Sequence, residues 1–335
     1  MSIPSAVNAS ESMGPLVVAD IGGTHARFGW VEQAGQCAEL VLTLATADFA
    51  GPGLAMRHYL SQLPSSHQQR ARELGLRAAW ALATVVEGDL IEMTNNHWRF
   101  SRQGEAHSLG LRSLQVFNDF EALACSLPHL GPAQWRSWDA RRPSLQGPLA
   151  VIGPGTGLGV AGLVPTRLGW LALPGEGGHM TLAAHDDFEA QLLSLARRQW
   201  PHVSGERFLS GLGLPLLHGC VCRVLGAPQA DLDVKAIVSQ GLEGDPAARR
   251  TLEVFCAMLG GYAGNVALAL GARGGVFIGG GLVPRLGGLF FASEFRSRFE
   301  FKGRLSSYVK DIPTVLITDT MAALSGVSMA VAARG

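Results

Sequence analysis

Charge is scarce in this sequence. Of 335 residues, 16% are Asp, Glu, Lys or Arg, against about 25% in an average domain. Lysine is nearly missing: Lys235, Lys302 and Lys310 are the whole complement. Basic and acidic residues balance at 27 each, so the formal net charge is zero. No basic block stands ready for a nucleic-acid backbone. An anion bound here must be held mostly by backbone N–H groups, arginines or a metal ion. Five cysteines (Cys37, Cys125, Cys220, Cys222, Cys256) are an odd number without framework spacing, which reads as free thiols in a large cytosolic protein. Cys220-Val-Cys222 has no second ligand pair at zinc-site spacing. The first twelve residues hold no Lys or Arg and no long apolar run. They are not a signal peptide and are expected to be a flexible tail. No P-loop, H-E-x-x-H or G-x-S-x-G pattern occurs. Gly157-x-Gly159-x-x-Gly162 matches the dinucleotide fingerprint formally, but Leu-Val-Pro follows it instead of a helix. Residues 254–272 are uncharged over a length that can span a bilayer. Gly260, Gly261, Gly264, Asn265 and Gly271 interrupt the stretch, which favours a buried helix of a globular core and no membrane partner.

Glycine is abundant, at 43 residues, and its placement is informative. The length suggests two domains at about 150 residues each. Strand-like and helix-like stretches alternate, which argues for an α/β protein. An apolar run over 16–21 meets Gly22-Gly23-Thr24 and resumes over 26–31, as two strands joined by a tight turn. The same plan recurs in 149–152, Gly153-Pro-Gly-Thr-Gly157 and 158–164, with Gly155-Thr156 lying 132 residues after Gly23-Thr24. A helix is expected over 48–63, with Asp48 near its start and Pro64 past its end. Strands are expected over 76–86, 114–117 and 275–278, and helices over 187–200 and 321–333. The segment 131–148, rich in Pro, Ser, Arg and Trp, reads as a linker.

Each candidate site has a bland reading beside the chemical one. Asp20-Ile-Gly-Gly-Thr24 can bring backbone N–H groups and a hydroxyl to a phosphate, with Asp20 orienting hydrated Mg²⁺; alone it is an ordinary hairpin. The second turn repeats the design with Ile152 where the first has Asp20. Two phosphate turns and one acid suit one nucleotide and one metal. Asn118-Asp119 follows a strand, where an aspartate can accept a proton from a sugar hydroxyl; a helix N-cap is the plain alternative. Glu176-Gly-Gly-His179 suits neighbouring sugar hydroxyls, and otherwise is a turn. Glu206-Arg207, taken alone, reads as the start of a surface helix. Gly279-Gly280-Gly281 could let an adenine lie on bare backbone, or simply turn a strand into a helix.

Taken in order, these landmarks resemble the bacterial ATP-dependent, non-ROK glucokinase family from about residue 17 to the C-terminus. They are Ala19-Asp-Ile-Gly-Gly-Thr24, Gly88-Asp89 with Met93-Thr-Asn95 and Trp98, Asn118-Asp119-Phe120, the 153–159 glycine turn, Leu173-Pro-Gly-Glu-Gly-Gly-His179, Ser204-Gly-Glu-Arg207 and the 274–285 segment. The resemblance implies two actin-like (ribonuclease H-like) α/β domains with mixed sheets flanking a central cleft. The boundaries expected are a tail over 1–13, a small domain over 14–130 plus 319–335, and a large domain over 131–318. It implies a cytoplasmic ATP:D-glucose 6-phosphotransferase, homodimeric, using ATP and Mg²⁺, with glucose and ATP as its partners and no nucleic acid. Asp119 matches the catalytic base. Asn118, Glu176, His179 and Glu206 match glucose-binding residues. Asp20, Gly22, Gly23, Thr24, Gly155, Thr156 and Gly157 match the phosphate turns and the Mg²⁺ carboxylate, acting through water. Gly279, Gly280 and Gly281 match the adenosine side. His25 and Val85 depart from the family pattern, which usually has asparagine and often proline there. The alternatives are a kinase for mannose or an amino sugar, and a non-catalytic sugar-sensing regulator. ROK-type regulators carry an N-terminal helix-turn-helix and a cysteine-rich zinc motif, for which no room is seen before Leu16.

Overall fold

The computed structural model describes residues 14–334; the tail expected over 1–13 lies outside the described residues. The chain forms two compact units. One runs to Leu123 and resumes at Ala323; the other spans Ala124–Ala322.

The first unit contains β1 (Leu16–Ile21), β2 (His25–Val31), β3 (Glu39–Ala45), α1 (Pro52–Gln62), α2 (Ser65–Leu74), β4 (Arg77–Leu82), β5 (Leu90–Glu92), β6 (Arg99–Ser101), α3 (Arg102–Ser108), β7 (Ser113–Asn118) and the start of α4 (Asp119–Ser126). Its sheet has the order β3-β2-β1-β4-β7. β1, β2 and β3 are antiparallel neighbours, while β1, β4 and β7 run parallel. The near-continuous apolar sequences of β1 and β4 are buried along almost their whole length, as strands covered on both faces must be. Trp30, Trp80, Trp98 and Tyr59 fill the space between sheet and helices. Ile21 pairs with Leu82, and Leu82 with Asn118. The three parallel strands therefore end in one row, and the turn after β1 and the Asn118-Asp119 step leave the same sheet end. Two inter-strand spacings put them roughly 10 Å apart.

Asp48 does not start a helix. It closes a short 3-10 turn, and α1 begins at Pro52 with Gly51 as N-cap and no side-chain cap. Proline at the first turn presets φ for the helix and lacks only an N–H that would be orphaned there. The strand expected over 76–86 is shorter, β4 ending at Leu82.

The second unit contains β8 (Trp135–Ser137), β9 (Leu149–Pro154), β10 (Leu158–Thr166), β11 (Gly169–Gly175), α5 (Asp187–Arg197), α6 (Leu214–Leu225), α7 (Val234–Glu243), α8 (Pro246–Leu270), β12 (Gly275–Ile278), α9 (Gly288–Ala292), α10 (Phe295–Glu300), α11 (Ser306–Lys310) and β13 (Thr314–Ile317). Its sheet order is β11-β10-β9-β12-β13-β8. Apart from β8 this is the topology of the first sheet. Residues 131–148 are not wholly a linker: 135–137 form edge strand β8, antiparallel to β13. The reason is aromatic. Trp138 packs on Phe290 and Phe295, and Arg136 lies over the Phe291 ring at 3.8 Å, which fixes the segment to the core.

The helix expected over 254–272 is the C-terminal part of α8. Among the described residues α8 alone is long and apolar enough to cross a membrane, and 72% of that window is buried within the protein. Its small residues admit neighbours: a Cβ on Gly260 would strike the Phe295 carbonyl, and one on Gly264 the Phe299 carbonyl. The final helix, α12 (Ala322–Arg334), returns to the first unit. Ser328 accepts from Gly35 N–H through both its carbonyl and its hydroxyl, and Arg334 pairs with Glu121 and covers the Phe117 ring.

Candidate active site

In the first unit the β1–β2 turn is pinned by its carbonyls. Gly22 O accepts from Asn96 Nδ2 at 3.1 Å, Gly23 O from Thr46 Oγ1 at 2.8 Å, and Thr24 O from Thr46 N at 3.0 Å. Gly22 N donates to His25 O at 2.9 Å, so with these groups held inside the unit the turn offers the Gly23 and Thr24 N–H groups and a hydroxyl, the donors an anion needs. Gly23 must be glycine, since a Cβ would crowd the Asn95 carbonyl at 2.9 Å. His25 Nδ1 lies 2.9 Å from Thr24 Oγ1, so this departure from the family pattern bears on the hydroxyl directly. Val85 is exposed in the loop after β4.

Asp20 sits one strand position behind the turn, opposite Arg27 across the hairpin, with 3.4 Å between carboxylate and guanidinium. Burial pushes its carboxyl up from the ordinary range, and Arg27 opposes the shift. Among the described residues no cluster of three metal ligands exists. One carboxylate without a protein cage is the donor set of a Mg²⁺ held chiefly by water and phosphate oxygens.

Of the two readings of the Asn118-Asp119 dipeptide, the structure shows the helix cap. Asn118 is the helix cap: Oδ1 accepts from Phe120 N at 2.9 Å and Glu121 N at 3.3 Å, while Nδ2 donates to Thr84 O at 3.2 Å. Asp119 is the first residue of α4, with Oδ1 accepting from Phe120 N at 2.9 Å. The cap fixes where α4 starts, and so where the Asp119 carboxylate stands at the row of strand ends.

In the second unit three sequence-distant segments meet. The β9–β10 turn closes with Gly155 N on Gly157 O at 2.9 Å. Its carbonyls at Gly155 and Thr156 accept from Gly211 and Leu212 N–H. The 279–281 glycines cross it: Gly279 N donates to Ile152 O and Leu282 N to Pro154 O. Gly280 has φ +77°, and a Cβ there would run into Pro154 O. Gly281 faces open space, so the bare surface proposed for a flat ring is at Gly281 while Gly280 serves packing.

Glu176, His179 and Glu206 come together. His179 Nε2 lies 4.0 Å from Glu176 Oε2 and 3.9 Å from Glu206 Oε1. Glu206 does not begin a surface helix. It is half-buried in a run of turns, with Glu206 N bonded to Gly178 O and Oε2 accepting from Leu158 N at 2.9 Å. A Cβ on Gly157 would strike that carboxylate, so glycine there makes room for it. Tyr262, in α8, donates its hydroxyl to Gly177 O and reaches Met180 O, bracing the backbone on both sides of His179. Thr46, Thr84, Asn96 and Tyr262 support the site without having been singled out in the sequence. Asn96 lay beside a landmark, next to Met93-Thr-Asn95, and Thr84 beside Val85.

A family model described as Glucokinase matches residues 17–334. A glucokinase of Chromobacterium violaceum is 47% identical over 315 residues, covering 94% of this chain and 88% of that protein. A crystal structure of glucokinase from an Antarctic psychrotroph is 36% identical, with TM-score 0.83, covering 94% of this chain and 98% of that one. A ROK family glucokinase from Streptomyces griseus, in complex with glucose and AMPPNP, shares the actin-like fold at 18% identity and TM-score 0.59, covering 94% of this chain and 98% of that one.

Proposed function

The chain belongs to the glucokinase family, and from that premise we propose that it phosphorylates the 6-hydroxyl of glucose with ATP. The observation that carries the mechanism is the common row of strand ends in the first unit, which brings Asp119 and the Gly22-Gly23-Thr24 turn to one sheet end. Asp119 takes the proton from the 6-hydroxyl as the oxygen attacks the γ-phosphorus. The O6–P bond forms, the bond from phosphorus to the β–γ bridging oxygen breaks, and ADP leaves. Such a transfer needs chiefly positioning and charge stabilisation. The N–H groups of both glycine turns other than those of Gly22 and Gly155, which close the turns themselves, hold phosphate oxygens together with the Thr24 and Thr156 hydroxyls. Asp20 would hold hydrated Mg²⁺, which would supply neutralisation of phosphate charge.

In the second unit Glu176, His179 and Glu206 read sugar hydroxyls, and Asn118 adds its amide in the first. A site built to hydrogen-bond hydroxyls rejects analogues lacking them strongly, since its polar groups are then left unpaired. Within Gly279–Gly281, the open backbone at Gly281 supports the adenosine, and Gly279 and Gly280 pack the segment against the β9–β10 turn. A cytoplasmic location and a homodimer accompany this reading; sedimentation at micromolar concentration checks the second.

ADP release from Mg-ATP is the test, across glucose, mannose, fructose, N-acetylglucosamine and no sugar. Rapid turnover with glucose is expected. Turnover with a different hexose alone would move the specificity, and none with any sugar from folded protein would overturn the kinase assignment.

A further inference from the structure

One of the three lysines is spent in an unusual place. Lys302 lies just after α10, half-buried, with its ammonium on Gly261 O at 2.7 Å. Among the described residues no carboxylate pairs with it. The buried acid that lines the same cavity, Glu189, is already committed: Oε1 to Arg298, and Oε2 to the His185 N–H at 2.7 Å. Lys302, Arg298 and this single carboxylate line one cavity of roughly 170 Å³ in the second unit, together with Tyr262 and Asn265. The Asn265 amide makes no hydrogen bond among the described residues. The glycines that interrupt α8 create this place: Gly261 presents its carbonyl, and Gly264 leaves space that a Cβ would take from the Lys302 chain.

We propose that this cavity is a second binding site, for a small oxyanion of the phosphate class, and that its occupancy is felt at the sugar-binding turn through Tyr262. A partly desolvated ammonium beside a guanidinium is stabilised by an anion far more than by a neutral carbonyl. Burial and the neighbouring Arg298 already depress the Lys302 ammonium to about 8, the mark of a cation short of negative charge. The volume is many times the 10–15 Å³ or so one water needs. It is well below the roughly 300–1,000 Å³ of pockets for larger organic ligands. That fits inorganic phosphate or the head group of a small phosphorylated compound, and not a nucleotide. The coupling is geometric: Tyr262 lines the cavity and its hydroxyl holds the Gly177 carbonyl between Glu176 and His179. Binding rests on the second unit alone; only its effect on glucose rests on the kinase reading.

The test is calorimetric titration of the full chain with inorganic phosphate, with AMPPNP saturating so that the nucleotide turns do not report. Wild type should bind, and Lys302→Gln should bind at least about tenfold more weakly, a loss of about 1.4 kcal/mol. Asn265→Leu, which fills the cavity from an exposed helix position, should weaken binding as well and guards against misfolding of the first variant. Glycerol 3-phosphate in place of phosphate distinguishes a head group from the free ion, and tighter binding of either supports the site. Sulfate, whose own charge is fixed, should bind more weakly as pH rises through about 8, where Lys302 loses its proton beside Arg298, Glu189, His185 and Tyr262. No binding, or equal affinity in wild type and both variants, overturns the site. Turnover plays no part in these titrations, so their failure is separate from failure of the kinase reading. A phosphate-dependent change in the glucose KM that vanishes in Tyr262→Phe supports the coupling, and an unchanged glucose KM in wild type overturns it.

Discussion

The two glycine hairpins have the same sheet around them and are held by different means. In the first unit, side chains secure the turn: Thr46 and Asn96 take its carbonyls, and a charged pair, Asp20 with Arg27, lies behind it. In the second, backbone does most of that work, through the 211–212 and 279–282 segments, and the residue behind the turn is the buried apolar Ile152. Identical topology therefore leaves the chemistry free to diverge. The first unit carries Asp20 and Asp119, the carboxylates proposed for the metal and for the sugar proton. The second carries a tightly packed glycine turn fused to a carboxylate–imidazole–carboxylate cluster.

The sharpest way to break that division is Asp119→Asn. It should lower kcat by about 10²–10⁴-fold, the usual contribution of a positioned base, with glucose affinity by calorimetry little changed. Undiminished turnover would remove Asp119 from its role. Next comes Glu206→Ala. It leaves the Leu158 N–H unsatisfied, a cost of about 1–3 kcal/mol, and should raise the KM for glucose and ATP together. Glu176→Ala, at an exposed carboxylate, should raise the glucose KM alone; a matching ATP effect there would blur the distinction. Gly280→Ala forces a side chain into φ +77° against Pro154 O, costing about 1–3 kcal/mol, whereas Gly281→Ala should leave the melting temperature unchanged. Equal melting temperatures would place the constraint elsewhere.

The smallest effect sharpens the contrast between Asp20 and Ile152. Asp20 has a raised folded-state pKa, so the folded protein holds its proton more tightly than the unfolded chain does. Stability from that group is present at low pH and lost as pH rises through the folded value. Asp20→Asn should therefore melt slightly higher than wild type at neutral pH, with the gap closing as pH falls through that value, while Mg-ATP turnover drops. A variant that melts lower at neutral pH would mean the Arg27 pairing outweighs the desolvation.

Much of this was legible in sequence, for identifiable reasons. β1, β4, β9 and β12 are buried runs cut by glycine, and such runs announce themselves. Strand β8 did not, because a three-residue edge strand has no period, and its place is set by Trp138 and Arg136 meeting a phenylalanine cluster far along the chain. Asp48 misled because a capping residue type says nothing about whether the next turn is helical, and Pro52 decided that instead. Asn118 took the plain reading of its dipeptide, as the cap of α4. The pairing of Glu206 with Leu158 N could not be seen locally, since its two ends lie in separate loops. The family resemblance named Glu206, but only the fold shows what its second oxygen does.

That second oxygen has a consequence for how this chain can diversify. One carboxylate lies beside His179 through Oε1 and anchors the strand leaving the β9–β10 turn with Oε2, so in the proposed mechanism it serves sugar and nucleotide at once. A lineage drifting toward a new hexose by changing Glu206 alters its own nucleotide grip in the same step, so the two traits are inherited as one. Selection for altered sugar preference should accumulate changes at Glu176 first and reach Glu206 only alongside compensating changes near Gly157 and Leu158.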